Sequence, residues 1–223
     1  MACRVSLYQK SCFLFDLDGT LIDSSHLHEA AFKQTLLTHA PDLLPTFIYE
    51  RCKGMATAEV FRHLGIDGDS KVSQMTTAKQ SDYRRRVATE LQALPHALLL
   101  LLALQKAGRR LLLVTGSSQG STGRGLTATG LNGFFEGIIT ADDGGKQKPA
   151  PGPYLLCIKR FGLDPAACIV IEDAENGVQS ARAAGLDVVG VNNPALQKID
   201  VDYYPDLAAL GQAAGLAEFQ GAG

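Results

Sequence analysis

Asp16 and Asp18 stand two residues apart at the end of an apolar run, in the segment Phe13-Leu14-Phe15-Asp16-Leu17-Asp18-Gly19-Thr20-Leu21. If that run is a strand, both carboxylates arrive at its C-terminal end, where open α/β sheets bind ligands. Gly19 lets the chain turn sharply and approach a ligand closely. Two carboxylates with one residue between them suit a hard cation such as Mg²⁺. They equally suit a division of labour between a nucleophile and a general acid/base. A calcium loop does not fit: Leu17, Leu21 and Ile22 are apolar where such a loop is polar, and Leu27 stands where its bidentate Glu belongs. A merely solvated turn is disfavoured, because an Asp ending a buried strand is costly without a role.

Three more places offer related chemistry. Leu113-Val114-Thr115-Gly116-Ser117 ends an apolar run with hydroxyls and a glycine. Lys148-Pro149-Ala150-Pro151 presents a cation, and Val170-Ile171-Glu172-Asp173 ends another run with adjacent carboxylates. Each also has a plainer reading. Thr115 can cap the next helix. Lys148, like Lys146 nearby, can be a surface charge, and Glu172 with Asp173 can be an acidic pair favoured by a helix N-terminus.

These residues need strands to deliver them. Apolar runs without alternation, the mark of strands covered on both faces, occur at Cys12–Asp16, Leu111–Thr115, Gly137–Thr140, Cys168–Glu172 and Asp187–Val191. Helical patterns fall between them. Tyr154, Cys157, Ile158 and Phe161 share one helix face, with Gly152 as the expected N-cap, Pro153 at the first position and Gly162 past the end. Further helices are expected over about Asn176–Ala184 and about Pro95–Lys106. Alternating strands and helices imply an α/β fold, a doubly wound parallel sheet. The segment Gly116–Gly133 should hold a helix too, but Gly120, Gly123, Gly125 and Gly130 predict a short or frayed one.

One interval breaks the rhythm. Between Leu21 and Leu111 no convincing strand occurs, although a βαβ crossover needs only some 30 residues. The surplus reads as helical: Ser24 or Ser25 can cap a helix over His26–Thr38, Val60, Phe61 and Leu64 continue the pattern, and Ser70–Leu94 is a long polar helix. The expected organisation is therefore a core formed by residues 1–22 and 95–223, with residues 23–94 inserted after the first strand.

Composition narrows the function. The chain has 223 residues, 21 Lys+Arg against 23 Asp+Glu and a net charge of −2, which argues against nucleic acid or an anionic membrane as partner. Its 46% hydrophobic and 20% charged residues suit a globular protein. The longest apolar run, Ala97 to Leu104, is far too short for a bilayer span, and no signal peptide is visible near Met1. Five scattered cysteines without a CxxC pair indicate thiols in a reducing cytoplasm.

The four segments in order resemble the motifs of the haloacid dehalogenase superfamily, in particular its β-phosphoglucomutase and sugar-phosphatase or phosphoglycolate-phosphatase-like branch. The resemblance covers nearly the whole chain. It implies a Rossmann-like core with a small inserted α-helical cap, and a Mg²⁺-dependent phosphatase acting on a small phosphorylated metabolite. By resemblance, Asp16 is the nucleophile that becomes an aspartyl phosphate, and Asp18 is the acid/base. Thr115, Gly116 and Ser117 bind the phosphoryl group, and Lys148 screens it. Mg²⁺ would be held by Asp16, the backbone carbonyl of Asp18, and Asp173 with or without Glu172. In the cap, His28 and the Lys53-Gly54 pair fall where relatives place residues facing substrate.

Two departures stand out. Gly152 replaces the acidic residue that often follows Lys-Pro-x-Pro, which weakens a helix cap. Thr57 stands where mutase relatives carry an Arg, leaving less positive charge for a second phosphate. A phosphosugar mutase is the alternative activity; dehalogenase chemistry and an inactive binding domain are weaker ones. With no coiled coil or obligate interface in view, a monomer is expected.

Overall fold

The computed structural model describes residues 6–52 and 55–220. It separates into two compact units, one of residues 1–23 and 92–223, the other of residues 24–91.

The first unit is built on a six-stranded sheet of β1 (Cys12–Phe15), β2 (Arg110–Val114), β3 (Gly137–Ile139), β4 (Cys168–Glu172), β5 (Asp187–Val191) and β6 (Asp202–Tyr204). Their order is β3-β2-β1-β4-β5-β6, all pairs parallel. β1 lies at the centre: Phe15 pairs with Leu113 on one side and Ile171 on the other. That register brings the ends of β1, β2 and β4 to one level. Every residue of β1 and β4 is buried, as continuous apolar runs require.

Both faces of the sheet are covered. Leu14, Leu112, Val114 and Val170 pack with Tyr154 of α6 (Gly152–Phe161) and Val178 of α7 (Glu175–Ala183). Phe13 and Phe15 alternate with Leu14, so they face the other way, and both are fully buried. α4 (Ala97–Lys106) and α8 (Leu207–Ala213) lie against each other beside β2 and β6.

Three local expectations change. β6 carries no continuous apolar run; its three residues are only half-buried at the sheet edge, so no strand signal was visible. The glycine-rich segment forms an unbroken helix, α5 (Gln119–Thr129). Ser118 caps it by accepting from the Ser121 N–H, Gly130 closes it in the left-handed region, and Thr122 and Leu126 are buried beneath it. Cap and burial together offset the ~1 kcal/mol that each interior Gly costs. Finally, Pro151 takes the N-cap position of α6, which puts Gly152 inside the first turn.

The second unit is helical: α1 (Ser25–His39), α2 (Thr57–His63) and α3 (Asp69–Glu90), with 3-10 turns between α1 and α2. α1 and α3 pack together. The core is an aromatic and aliphatic cluster of Phe32, Leu36, Phe47, Val60, Phe61 and Met75. Among the described residues, no helix is long and apolar enough to cross a membrane.

Candidate active site

The C-terminal ends of β1, β2 and β4 deliver the site. Asp16 follows β1 directly, and its N–H still donates to Ile171 O of β4 at 3.0 Å, so its carboxylate is held by the sheet ladder. The chain then turns tightly, with the Leu21 and Ile22 N–H groups both donating to Leu17 O. Gly19 has φ +86°, and a Cβ there would lie 2.1 Å from Asp173 Oδ2. Only glycine satisfies both conditions. The Asp18 carboxylate accepts the Ser117 hydroxyl at 2.8 Å.

Lys148 is the hub. Its side chain is 8% exposed. Its ammonium donates to Asp16 Oδ1 (2.7 Å), Glu172 Oε1 (2.6 Å) and the Val114 carbonyl (2.8 Å), which uses all its donors. Lys146, two residues earlier, is exposed. Glu172 Oε1 also accepts the buried Tyr154 hydroxyl at 2.6 Å. The carboxylate of Glu172 fits only because residue 177 is glycine: a Cβ there would lie 2.0 Å from Glu172 Cδ. Gly177 thus makes room for Glu172 as well as sitting in the first turn of α7.

Charge in this cluster is unbalanced. Burial, and then Glu172, Asp173 and Asp18, push the Asp16 carboxyl well above its ordinary range, while Lys148 pulls the other way. Burial opposes the Lys148 charge, but Asp16 and Glu172 overrule it and keep the ammonium protonated. Asp16, Glu172 and Asp173 are all buried, and one oxygen from each lies within 4.8 Å of the others. An all-oxygen, net-negative donor set of this kind fits Mg²⁺. Asp18's carboxylate is outside that trio, bound instead to Ser117. Glu172 has Oε1 committed to Lys148 and Tyr154, so Oε2 is what it could offer a cation.

The loop after β2 differs in detail from expectation. Thr115 is buried, and its Oγ1 accepts the Ser117 N–H at 3.1 Å. The Ser117 amide is therefore engaged within the loop, and Ser117 contributes a hydroxyl to Asp18 instead. Thr115 keeps its own hydroxyl proton to donate. A Cβ on Gly116 would meet nothing within 4 Å, so the chain is uncrowded on that side.

Thus Asp16, Asp18, Ser117, Lys148, Glu172 and Asp173 gather in the sheet unit, with Thr115 bonded to Ser117. His28 belongs to the helical unit. There its Nδ1 lies 2.7 Å from the Nζ of buried Lys79, and its ring stacks on Tyr83 at 4.0 Å. Burial, and then the Lys79 charge, pull His28 down to about 3, so it is neutral and accepts from the ammonium. Lys53 and Gly54 lie outside the described residues.

Sequence reasoning missed Tyr154, which it placed among apolar residues of a helix face. A fully buried Tyr hydroxyl requires a partner, and that requirement was the available signal. It also missed Asn192 and Asn193, which carry no motif. Asn192 Nδ2 donates to the carbonyls of Gly19 (2.9 Å) and Thr20 (3.1 Å), and Asn193 Nδ2 to that of Asp173 (2.8 Å).

Comparison with known proteins agrees with this arrangement. Residues 13–191 match the family model described as haloacid dehalogenase-like hydrolase. Hexitol phosphatase A of Escherichia coli is 37% identical over 186 residues, covering 82% of this chain and 83% of that protein. Fructose-1-phosphate phosphatase YqaB of the same organism is 31% identical over 183 residues, covering 80% and 94%. The crystal structure of a hydrolase from Pseudomonas syringae superposes with a TM-score of 0.75 at 27% identity, covering 91% of this chain and 97% of that one. The strand order, the carboxylate–lysine cluster at its centre and these matches lead to one assignment: the chain is an enzyme of the haloacid dehalogenase-like hydrolase family.

Proposed function

We propose that the protein is a Mg²⁺-dependent phosphatase of small phosphate monoesters, such as sugar phosphates or phosphoglycolate, working through an aspartyl phosphate. One observation carries the reading: a buried carboxylate at the end of the central strand is bonded to a buried ammonium, with further carboxylates around them. A carboxylate attacking a phosphate dianion meets like-charge repulsion, which cations must offset.

Asp16 forms a new bond to phosphorus as the ester P–O bond breaks. Asp18 gives its proton to the leaving oxygen, so the alcohol departs neutral. A water then attacks phosphorus, Asp18 takes its proton, and the P–O bond to Asp16 breaks to release inorganic phosphate. Lys148 remains charged throughout, screening Asp16 and the phosphoryl oxygens. Thr115 Oγ1 and the Gly116 N–H would donate to those oxygens. Asp16, Asp173 and the Asp18 backbone carbonyl would hold Mg²⁺, with Glu172 Oε2 available; when bound, the cation neutralises phosphoryl charge.

Residues 23–94 would act as the cap, with His28 and Lys53 contacting substrate. The relatives named above, a hexitol phosphatase and a fructose-1-phosphate phosphatase, support a phosphorylated polyol or sugar as substrate. The four described cysteines are free and buried thiols, which supports a cytoplasmic setting, and we take the working form to be a monomer.

The test is phosphate release from a panel of phosphorylated metabolites, with Mg²⁺ and with chelator, by wild type and Asp16→Asn. Release that needs Mg²⁺ and vanishes in the variant is expected. Isomerised sugar without free phosphate would establish a mutase instead, and equal, negligible release by both proteins would overturn the enzymatic reading.

A further inference from the structure

The two asparagines after β5 reach into both acidic loops. Asn192 has φ +61°, a left-handed conformation that Asn tolerates better than most residues. That backbone turn aims its amide across the end of the sheet, where it donates to Gly19 O and Thr20 O, the two residues after Asp18. The next residue donates to the carbonyl of Asp173, while its Oδ1 accepts from the Ala195 N–H and caps a 3-10 turn. Adjacent side chains on one strand end thus grip the loop carrying Asp18 and the loop carrying Asp173.

Those loops otherwise touch through a tight contact. Gly19 lies against the Asp173 carboxylate with no room for a Cβ, and Thr20 Oγ1 is 3.5 Å from Asp173 Oδ1. Two carboxylate-bearing turns that close repel each other electrostatically, and donors from a third segment counter that tendency. Asn192 is tied to the sheet by its own N–H, which donates to Tyr204 O of β6 at 3.3 Å.

We propose that Asn192 and Asn193 are positioning residues that fix the separation of the acid/base loop and the cation-binding loop. The proposal rests on the phosphatase reading for its kinetic consequence and on geometry for its structural one. The side-chain amides of both are engaged by loop carbonyls. Each acts through the backbone of the loop it holds.

The variants separate side chain from backbone. Asn192→Gly keeps the left-handed turn and removes the amide. Asn193→Ser keeps a good cap acceptor and is too short to reach Asp173 O. Hydrogen–deuterium exchange should show faster exchange across residues 18–22 in the first and 172–176 in the second, with the rest of the sheet unchanged. Against the best substrate, kcat should fall about tenfold in Asn192→Gly, with KM within about twofold, since only alignment is lost. Wild-type exchange at these loops together with wild-type kcat would overturn the proposal. So would faster exchange throughout the sheet with kcat and KM changing together, the mark of a merely structural role. A wild type inactive on every phosphate ester would sink the phosphatase reading, and the exchange comparison would still decide whether the loops are clamped.

Discussion

Lys148→Met tests the centre of the site, because it removes the charge and keeps most of the stem. The ammonium makes hydrogen bonds of 2.6, 2.7 and 2.8 Å, two of them to buried carboxylates. The side chains of Asp16 and Glu172 are 11% and 2% exposed, so water cannot replace the lost cation. Breaking a buried ion pair by removing one partner costs about 3–5 kcal/mol. At roughly 2–4 °C per kcal/mol for a chain of this size, the sheet unit should melt about 6–20 °C lower in chelator. Added Mg²⁺ should raise the melting temperature more in the variant than in wild type, since the cation then supplies the positive charge that Lys148 gave to Asp16 and Glu172. With all three donors spent within the protein, Lys148 acts on the phosphoryl group through its charge; removing such a fixed electrostatic stabiliser should lower phosphate release by about 10²–10³ in kcat. Lys146→Met, at an exposed position, is the control. A Lys148→Met protein that melts within 2 °C of wild type (about 1 kcal/mol) and keeps its kcat would refute the reasoning.

Three further outcomes follow from the geometry. Tyr154→Phe deletes a hydroxyl bonded to Glu172 at 2.6 Å without changing ring packing, and should destabilise the protein by about 1.5–3 kcal/mol in chemical denaturation. Gly123→Ala, inside α5 where a Cβ meets nothing within 4 Å, should stabilise by about 0.5–1 kcal/mol, read as a higher melting temperature. His28 is held at about 3 in the fold, below its ordinary 6.5, so its contribution is intact above pH 6.5 and is lost as pH falls toward 3. Between pH 7.5 and 5 wild type should lose about 2 kcal/mol more than His28→Gln, and equal pH dependence of the two denaturation curves would contradict the burial of His28 beside Lys79.

The strands that carry the carboxylate–lysine cluster were readable because they are buried on both faces, so β1 and β4 show unbroken apolar runs ending in carboxylates. An edge strand such as β6, half-buried and three residues long, leaves no comparable pattern. Propensity misjudged α5, whose glycines are outweighed by the Ser118 cap and buried contacts that only the assembled unit supplies. Tyr154, Gly177, Asn192 and Asn193 act through partners far away in the chain or through space left for another side chain. Linear spacing carries no trace of such relations. Glu172 was legible as a carboxylate at a strand end, but its service to Lys148 required seeing which oxygen Tyr154 occupies.

The central place of β1 has a consequence for biosynthesis. Its Cys12 pairs with Arg110 on one side and Cys168 on the other. The strand that carries Asp16 leaves the ribosome well before β2 and β4 and must wait for both neighbours. At ~5–20 residues per second, that wait is on the order of ten seconds, during which a fully apolar strand lacks its ladder partners. The helical unit is contiguous in sequence and can close in the meantime. Asp16 is thus made well before its partners: a partial chain ending before β4 lacks Glu172 and Asp173 and cannot assemble the carboxylate–lysine cluster.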